Sequence, residues 1–404
     1  MHPTISIITA HGRENLPVEK DERLIDLLNR HNVPWSAVAI YSVPRSGGAP
    51  VLSSCLDLML SEFTDCSELL IYYNRNINPA LFATNVFKVL DSPQPTKHAT
   101  EYFYQMLDND RSRAKIFLKK LSQEECQSIV ADRVAEVVKN NLPAGSRLVV
   151  GVSGGGDSNA LLYSLSRITG HDLSIHPIII KGIPEWDKGV PRAQELCDKY
   201  GLNLTVMEEE EVRALLHMPE DSRSLIACFE DEFKGDDFEF VGTLLVRLAL
   251  AHHARRLGTS YICTGLNLED VLCEGVFRVS TGLKPASIPM RAIGDINLLF
   301  PLWLCPKRII DGCFPKYSLD NYEARFPSFS LGRNLYYSVV YALQSQFPGF
   351  AEQLAQGFSD LSVQDPVRYV FDEELGFHVE RHIPRELRDR FLHMLGRDVS
   401  PVTE

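Results

Sequence analysis

One short segment near the middle of the chain combines glycines, hydroxyl groups and a carboxylate in a pattern that suits phosphate chemistry. Its sequence is Ser153-Gly-Gly-Gly-Asp-Ser158, and it follows the apolar residues 148–152. Three successive glycines can adopt positive φ and let backbone N–H groups approach an anion closely. The apolar residues after Ser158 predict a helix, whose N-terminal N–H groups and dipole favour phosphate. The segment therefore predicts a phosphate-binding loop between a strand and a helix.

The residues of this loop have distinct expected roles. All six are expected to bind the phosphate-bearing ligand: Ser153, Gly154, Gly155, Gly156, Asp157 and Ser158. Asp157 is also the expected Mg²⁺ ligand and a catalytic residue, because magnesium prefers carboxylate oxygens. The alternative is an ordinary glycine-rich turn without a ligand. The serines and the aspartate stand at fixed positions within a strand–turn–helix, which favours phosphate binding.

Two common phosphate loops do not fit this segment. The GxxxxGK[ST] pattern with its lysine is absent, and so is GxGxxG. SGGGDS resembles instead the SGGxDS signature of the PP-loop ATP pyrophosphatases. The resemblance implies an α/β fold with a doubly wound parallel sheet of the adenine nucleotide alpha hydrolase (HUP) type. It also implies ATP and Mg²⁺ as cofactors, and cleavage of ATP between its α- and β-phosphates.

The resemblance extends to the ends of two later strands. Ile180 and Lys181 end the second strand, where this superfamily places the adenine along the backbone. Residues 264–270, TGLNLED, are similar to the GHxxDD element of the family. There the resemblance implies that Gly265 approaches the nucleotide and that the acidic pair Glu269 and Asp270 serves metal or proton chemistry.

The second element departs from the family pattern at two positions. Leu266 stands where histidine is usual, and Cys273 stands where the next glutamate falls, with Glu274 one place later. The identity of a general base therefore stays open. Glu269 and Asp270 also have a simpler explanation, since acidic residues at a helix start complement the helix dipole.

Two basic residues complete the set of expected catalytic side chains. Residues 278–284 are similar to a loop of the tRNA(Ile)-lysidine synthases, and residues 300–308 fit the same pattern. The resemblance gives Lys284 and Arg308 a catalytic role, while a solvated surface charge is an equally good alternative for each. Motif similarity spans roughly residues 147–350 and is closest to the lysidine synthase and tRNA thiolation branch.

These residues require a parallel sheet that brings strand ends together. From residue 147 onward, strands and helices alternate, which is typical of α/β proteins. The expected strands are residues 147–153, 173–180, 204–207 and 261–264. The expected helices include residues 159–168, 241–257 and 334–346.

The N-terminal part has a different pattern. A strand at residues 4–10, a helix at 24–28 and strands at 36–43 and 69–73 resemble the β-grasp (ubiquitin-like) fold. Gly47-Gly48 is internal, so this part is expected to dock a protein partner and not to act as a thiocarboxylate carrier.

A proline-containing linker at residues 91–96 is expected to precede two helices, the second opening with the capping box Ser122–Glu125. Four contiguous domains are therefore expected. They are a β-grasp domain at 1–85, a linker and helices at 86–142, a PP-loop domain at 143–315 and a helical or mixed C-terminal region at 316–404.

Composition narrows the function classes. The 404 residues carry a net charge of −12, and residues 208–239 alone hold twelve acidic and three basic residues. This balance disfavours non-specific nucleic-acid binding, although residues 381–397 contain a cluster of arginines. No run of apolar residues is long enough for a membrane helix, and a secretory signal is not evident, so a cytoplasmic protein without a membrane partner is expected.

The sequence therefore predicts an ATP-dependent adenylating enzyme. A substrate carbonyl or carboxylate oxygen would take AMP, and an amine or sulfur nucleophile would then displace it. The expected substrate is a nucleobase in tRNA. The alternatives are an amide- or thioamide-forming ligase on a small metabolite or a protein, and a non-catalytic ATP-binding docking protein. Nine cysteines occur without a CxxC, and the sulfur candidates are Cys228, Cys273, Cys305 and Cys313.

Overall fold

The computed structural model describes residues 3–9, 12–53, 55–74, 99–107, 114–182, 187–218, 224–233, 238–324 and 331–397. The chain forms two compact units, each assembled from separate stretches. The first unit comprises Met1–Arg133, Leu266–Gly282 and Leu302–Gly357. The second comprises Val134–Gly265, Leu283–Pro301 and Phe358–Glu404. The domain bounds expected from the sequence stay a prediction.

The first unit contains a five-stranded sheet with the order β2-β1-β5-β3-β4. Its strands are β1 Thr4–Thr9, β2 Gly12–Asn15, β3 Val38–Pro44, β4 Val51–Leu52 and β5 Cys66–Tyr73. β1 pairs in parallel with β5, and the other pairs are antiparallel. Helix α1, Leu24–Arg30, buries its leucines and Ile25 because they recur at helical spacing. The order hairpin, helix, strands is the one expected for the β-grasp-like part.

Contacts distant in the chain hold this sheet in the first unit. The Ser36 hydroxyl donates to the Tyr341 backbone oxygen at 3.1 Å and lies 2.9 Å from the Ser345 hydroxyl. The Tyr41 hydroxyl donates to the Pro315 carbonyl at 3.2 Å. The sheet therefore packs on residues that follow it by some 270 to 310 positions.

Residues 100–121 correct one expectation. Two helices were predicted after the linker, but the structure has an antiparallel hairpin of β6, Thr100–Leu107, and β7, Ala114–Leu121, before helix α2, Gln123–Asn141. Leu118 and Lys120 are buried while Lys119 is exposed, which is the period of a strand. Burial of Lys120 is stabilised by ion pairs with Asp57 and Glu101. The linker at residues 91–96 lies outside the described residues.

The second unit contains a six-stranded sheet with the order β10-β9-β8-β11-β13-β12. The strands are β8 Arg147–Gly151, β9 Ser174–Ile180, β10 Thr205–Met207, β11 Tyr261–Cys263, β12 Met290–Ile293 and β13 Ile296–Leu299. All neighbours are parallel except β12, which pairs antiparallel with β13 at one edge. The apolar core of β8 is fully buried, as expected for a strand covered on both faces. The predicted doubly wound parallel sheet is confirmed.

The remaining helices of the described residues belong to both units. In chain order they are α3 Gly156–Ser166, α4 Val190–Lys199, α5 Glu209–Leu215, α6 Leu225–Glu232, α7 Phe238–Arg256, α8 Leu268–Ser280, α9 Lys307–Cys313, α10 Pro315–Ala324, α11 Leu331–Gln346, α12 Phe350–Gln364 and α13 Arg385–Met394. A last hairpin is formed by β14, Tyr369–Asp372, and β15, Phe377–Glu380. No helix in the described ranges is long and apolar enough to cross a membrane.

The strand order fixes where a ligand would bind. From β8 the chain proceeds through β9 to β10 on one side, and then crosses back to β11 and β13 on the other. Such a reversal is the topological switch point of an open α/β sheet, and ligands bind there, beyond the carboxyl ends of the strands. The residues that follow β8 and β11 lie at this point.

Candidate phosphate site and its surroundings

The SGGGDS loop leaves the carboxyl end of β8 and turns sharply at Gly154. Gly154 has φ +76°, and a Cβ atom there would lie 2.7 Å from both the Ala193 backbone nitrogen and the Gly189 carbonyl oxygen. Both the backbone conformation and the lack of space require glycine. The loop can therefore lie directly against the first turn of α4.

The two serines of the loop differ in role. The Ser153 N–H donates to the Ser158 hydroxyl oxygen at 2.9 Å, and the two hydroxyl oxygens are 3.0 Å apart. Ser158 is 4% exposed, whereas Ser153 is exposed. Ser158 therefore closes the loop from inside, and the Ser153 side chain is the one that solvent reaches.

The last three residues of the loop form the first turn of α3, and this N-terminus has no side-chain cap. Gly155 is its N-cap residue and makes no side-chain cap hydrogen bond. The N–H groups of the first helical turn cannot be satisfied within the helix, so they suit an anion. Asp157 stands in this first turn and is half-buried.

The residue after β11 comes close to the loop, as expected. A Cβ atom on Gly265 would lie 3.7 Å from the Asp157 Cβ atom. The adjacent positions of β8 and β11 in the sheet account for this approach. The structure thus brings the loop and Gly265 together at the switch point.

Ile180 and Lys181 follow the neighbouring strand β9. Ile180 is buried, and the Lys181 N–H donates to the Met207 carbonyl at 2.8 Å. The Lys181 ammonium pairs with Glu208 at 2.7 Å, and this hydrogen bond raises the pKa of Lys181. The side chain of Lys181 is therefore engaged on the surface, and its backbone is the part available to an adenine.

The Asp270 carboxylate, in the first unit, forms hydrogen bonds with groups of the protein itself. Its carboxylate accepts the Asn267 N–H at 3.0 Å and the Tyr337 hydroxyl at 2.5 Å. The Asn267 side chain in turn accepts the Asp270 N–H at 3.1 Å, which completes a capping box at the start of α8. These contacts are those of a helix cap.

Glu269 is still more deeply buried, with 2% of its surface exposed. Its carboxylate accepts the Lys307 N–H and the Gln344 side-chain amide, each at 2.9 Å. Burial raises the pKa of Glu269 to about 7, although both hydrogen bonds favour the charged form. Glu269 therefore links the starts of α8 and α9 to α11.

Arg308 and Lys284, both expected to be catalytic, have opposite surroundings. Arg308 is buried, and its guanidinium donates to the backbone oxygens of Trp35 and Val38 at 2.9 Å and of Glu101 at 2.6 Å. Burial lowers the pKa of Arg308 to about 10. Lys284 is exposed and forms an ion pair with Asp365, which is also exposed.

The expected site residues thus separate by unit. The SGGGDS loop, Gly265, Ile180, Lys181 and Lys284 belong to the second unit. Glu269, Asp270 and Arg308 belong to the first. A contact that the sequence analysis missed is the packing of α4 on Gly154. The only local signal for it was Pro191, which marks the start of a helix.

The loop offers donors for the phosphates of ATP and one carboxylate for Mg²⁺. The loop offers backbone N–H groups and the Ser153 hydroxyl to phosphate oxygens. Among the described residues, no group of three or more histidine, cysteine, aspartate or glutamate side chains gathers to hold a metal. Mg²⁺ is usually held by one or two carboxylates together with substrate phosphates, so Asp157 at the loop fits that mode of binding.

Other candidate features are occupied or buried. Arg388 pairs with Asp372 and Glu374, and Arg390 and Arg397 donate to backbone carbonyls. Of the four cysteines considered for sulfur chemistry, Cys273, Cys305 and Cys313 are buried and Cys228 is half-buried. Burial raises the pKa of the Cys305 thiol to about 12.

Comparison with known proteins gives matches among solved structures alone. No family model and no curated protein matches the chain. It is similar to the U34-tRNA thiolase NcsA from Methanococcus maripaludis, with 15% identity over 60% of this chain and 82% of that chain and a TM-score of 0.48. The NH3-dependent NAD synthetase from Campylobacter jejuni subsp. jejuni matches at 14% identity, covering 59% of this chain and 94% of its own, with a TM-score of 0.34.

The NMN synthetase from Francisella tularensis matches at 13% identity, covering 70% of this chain and 99% of its own, with a TM-score of 0.30. The first of these structures is a tRNA thiolase, a kind of enzyme that the sequence resemblance also named. At these identities and TM-scores the likeness carries no argument about activity, which must rest on the site.

Proposed function

We propose that this protein cleaves ATP to AMP and pyrophosphate and joins the AMP to a substrate oxygen. The observation that carries the proposal is the SGGGDS loop at the switch point of the sheet, turned at Gly154 and closed by Ser158. It presents uncapped helix N–H groups and an exposed serine, and it lacks the lysine with which a Walker loop binds the β- and γ-phosphates.

The chemistry follows from the position of these donors. A carbonyl or carboxylate oxygen of the substrate forms a bond to the α-phosphorus, and the bond from that phosphorus to the bridging oxygen of the β-phosphate breaks. The leaving pyrophosphate takes the electron pair. Fixed N–H groups of the loop stabilise the charge that develops on it, which is usually the largest contribution to such catalysis. Mg²⁺, when held by Asp157, would neutralise part of the phosphate charge.

In the second half of the reaction, a nucleophile forms a bond to the activated carbon. The carbon–oxygen bond to AMP breaks, AMP leaves with the electron pair, and the nucleophile loses a proton. We favour an amine over a sulfur nucleophile, since burial raises the pKa of the Cys305 thiol to about 12 and the buried Cys273 reaches a substrate poorly.

The substrate proposed is a nucleobase in tRNA, from the resemblance to the lysidine synthase and thiolation branch. The pairing of Arg388, Arg390 and Arg397 within the fold supports the alternative of a small metabolite or a protein. For the N-terminal sheet we propose a docking role. Gly47 and Gly48 lie in the turn between β3 and β4, so this Gly-Gly pair is internal and cannot serve as the C-terminal thiocarboxylate of a sulfur carrier.

Product analysis tests the reaction type. ATP labelled at the α- and γ-phosphates is expected to yield labelled AMP and pyrophosphate in equal amounts when substrate is present. ADP and phosphate as products would overturn the proposal. Binding of ATP without any release of pyrophosphate would favour the docking protein instead.

A matched pair of glycine variants links this activity to the loop. Gly154→Ala adds a Cβ against backbone atoms and should abolish pyrophosphate release. Gly145→Ala, also at positive φ but with nothing within 4 Å of the added atom, provides the control for backbone strain alone. Equal activities of the two variants would dissociate the reaction from the close approach at Gly154.

The nucleophile is tested by replacing Cys228, Cys273, Cys305 and Cys313 with serine one at a time. Modified product should form at an unchanged rate in all four variants if an amine attacks. Loss of product with adenylation preserved in any one variant would show the sulfur route.

A further inference from the structure

Helix α4 contacts the phosphate loop with the first turn that carries Arg192. The Arg192 Cβ atom lies 2.8 Å from the position that a Cβ on Gly154 would occupy, and the Ala193 nitrogen lies 2.7 Å from it. The first side-chain atom of Arg192 therefore lies directly beside the turn of the loop. Gly154 and Arg192 are 38 positions apart in the chain, so the fold brings them together.

The side chain of Arg192 is incompletely satisfied. Its Nε atom is buried without a hydrogen-bond partner among the described residues. Buried N–H donors in native proteins are nearly always paired, because an unpaired donor costs the full free energy of its desolvation. A nearby anion would supply the acceptor.

Two other cations of this unit have partners of their own. Lys181, after β9, is paired with Glu208, and Arg167, at the end of α3 away from the loop, lies over the Tyr163 ring. A guanidinium suits phosphate because its planar set of donors matches two phosphate oxygens at once. The loop itself contains no cation.

We propose that Arg192 binds the β- and γ-phosphates of ATP and the pyrophosphate that leaves, in the place where a Walker loop uses its lysine. This inference rests on the proposed function and names a residue of that same site. It assigns Arg192 to the pyrophosphate end of the nucleotide and not to the AMP end.

Calorimetric titration with inorganic pyrophosphate and with AMP, each in the presence of Mg²⁺, tests the assignment. Arg192→Gln should weaken pyrophosphate binding about 10- to 100-fold, the usual effect of losing a charged hydrogen bond. It should leave AMP binding within about threefold, since AMP lacks the phosphates that Arg192 contacts. Arg192→Lys, which keeps the charge, should bind pyrophosphate with intermediate affinity.

Arg167→Gln is the matched control, because it removes an arginine from the same unit away from the loop, and it should bind both ligands like the wild type. Wild-type affinity for pyrophosphate in both Arg192 variants would overturn the role of Arg192 and leave the proposed function standing. An equal loss of AMP and pyrophosphate affinity would also overturn it. Failure of the wild-type protein to bind pyrophosphate or ATP would overturn the proposed function itself.

Discussion

The phosphate loop of the second unit and the acidic pair of the first unit contain similar residue types in opposite circumstances. In the loop, Ser153 is exposed and Asp157 is half-buried, and the N-terminus of α3 has no side-chain cap. In the first unit, Glu269 and Asp270 are buried, and residues distant in the chain donate to both carboxylates. The loop retains hydrogen-bonding capacity for a ligand, while the acidic pair uses its capacity to join helices.

The difference shows that the burial and the hydrogen-bond partners of a motif, and not its residue types alone, indicate whether it binds a ligand. The resemblance to a catalytic element rested on the types of Glu269 and Asp270 and on their position behind a strand. Burial of a carboxylate is costly unless donors satisfy it, and here the donors come from the protein itself. The same comparison applies to Arg308, whose buried guanidinium donates to three backbone carbonyls.

Replacing Arg308 should give the largest effect on stability. Arg308→Met should lower the free energy of unfolding by about 3–5 kcal/mol, because three buried backbone oxygens lose their charged donor. Urea denaturation measures this, with Lys119→Met, at an exposed position, as a control expected within about 0.5 kcal/mol of the wild type. Unchanged stability with lost activity would instead support the catalytic role implied by the resemblance.

Replacing Asp157 tests whether the phosphate loop takes part in the reaction. Asp157→Ala should reduce the rate of AMP formation about 10²–10³-fold, the usual effect of losing one fixed charge-stabilising contact, with little change in stability. Initial rates of pyrophosphate release measure it. Asp198→Ala, on the exposed surface of α4, is the matched control. A rate near that of the wild type would remove Asp157 from the mechanism.

The acidic pair can be probed through pH. Because the pKa of Glu269 is raised to about 7 in the folded protein, the folded state holds the proton more tightly than the unfolded one. The stability contributed by protonated Glu269 is therefore full below pH 4.5 and is lost as the pH rises to about 7. Between pH 5 and 8 the loss should approach about 3 kcal/mol.

Urea denaturation across this range should show the loss in the wild type and not in Glu269→Gln, which cannot ionise. Glu373→Gln, at an exposed position, should keep the pH dependence of the wild type. A variant Glu269→Gln with an unchanged pH profile would mean that Glu269 does not titrate in this window.

The smallest expected effect concerns Lys284. Its ion pair with Asp365 is exposed on both sides, so a double-mutant cycle with Lys284→Ala and Asp365→Ala should give a coupling energy below about 1 kcal/mol. AMP formation by Lys284→Ala should stay close to the wild-type rate. A large decrease in that rate with stability unchanged would support the catalytic role of Lys284 that the resemblance to the lysidine synthase loop implies.

Local sequence patterns predicted much of this fold. The apolar stretch before Ser153 and the glycines after it were enough to place β8, the loop and the start of α3, since strand, turn and helix are decided within about twenty residues. The strands β9 and β11 followed from similar runs. The hairpin β6–β7 was missed because its buried lysine, Lys120, depends on Asp57 and Glu101, which no local pattern reveals.

The candidate site was predictable to the same extent. The sequence indicated the loop and Gly265, whose approach to Asp157 follows from parallel strands. It did not indicate the packing of α4 on Gly154, or the partners of Arg308, which are 207 to 273 residues away. Contacts of that separation are set by tertiary packing, and a residue's type alone does not distinguish a structural arginine from one that binds phosphate.

The long-range contacts of the N-terminal sheet also bear on how the chain folds as it is made. Ser36 and Trp35 bond to Tyr341 and Arg308, which are 305 and 273 residues further along. At a translation rate of about 5–20 residues per second, these partners leave the ribosome roughly 15–60 s after the sheet. During this interval water takes the place of these partners, so the native hydrogen bonds of Trp35 and Ser36 form only late in synthesis.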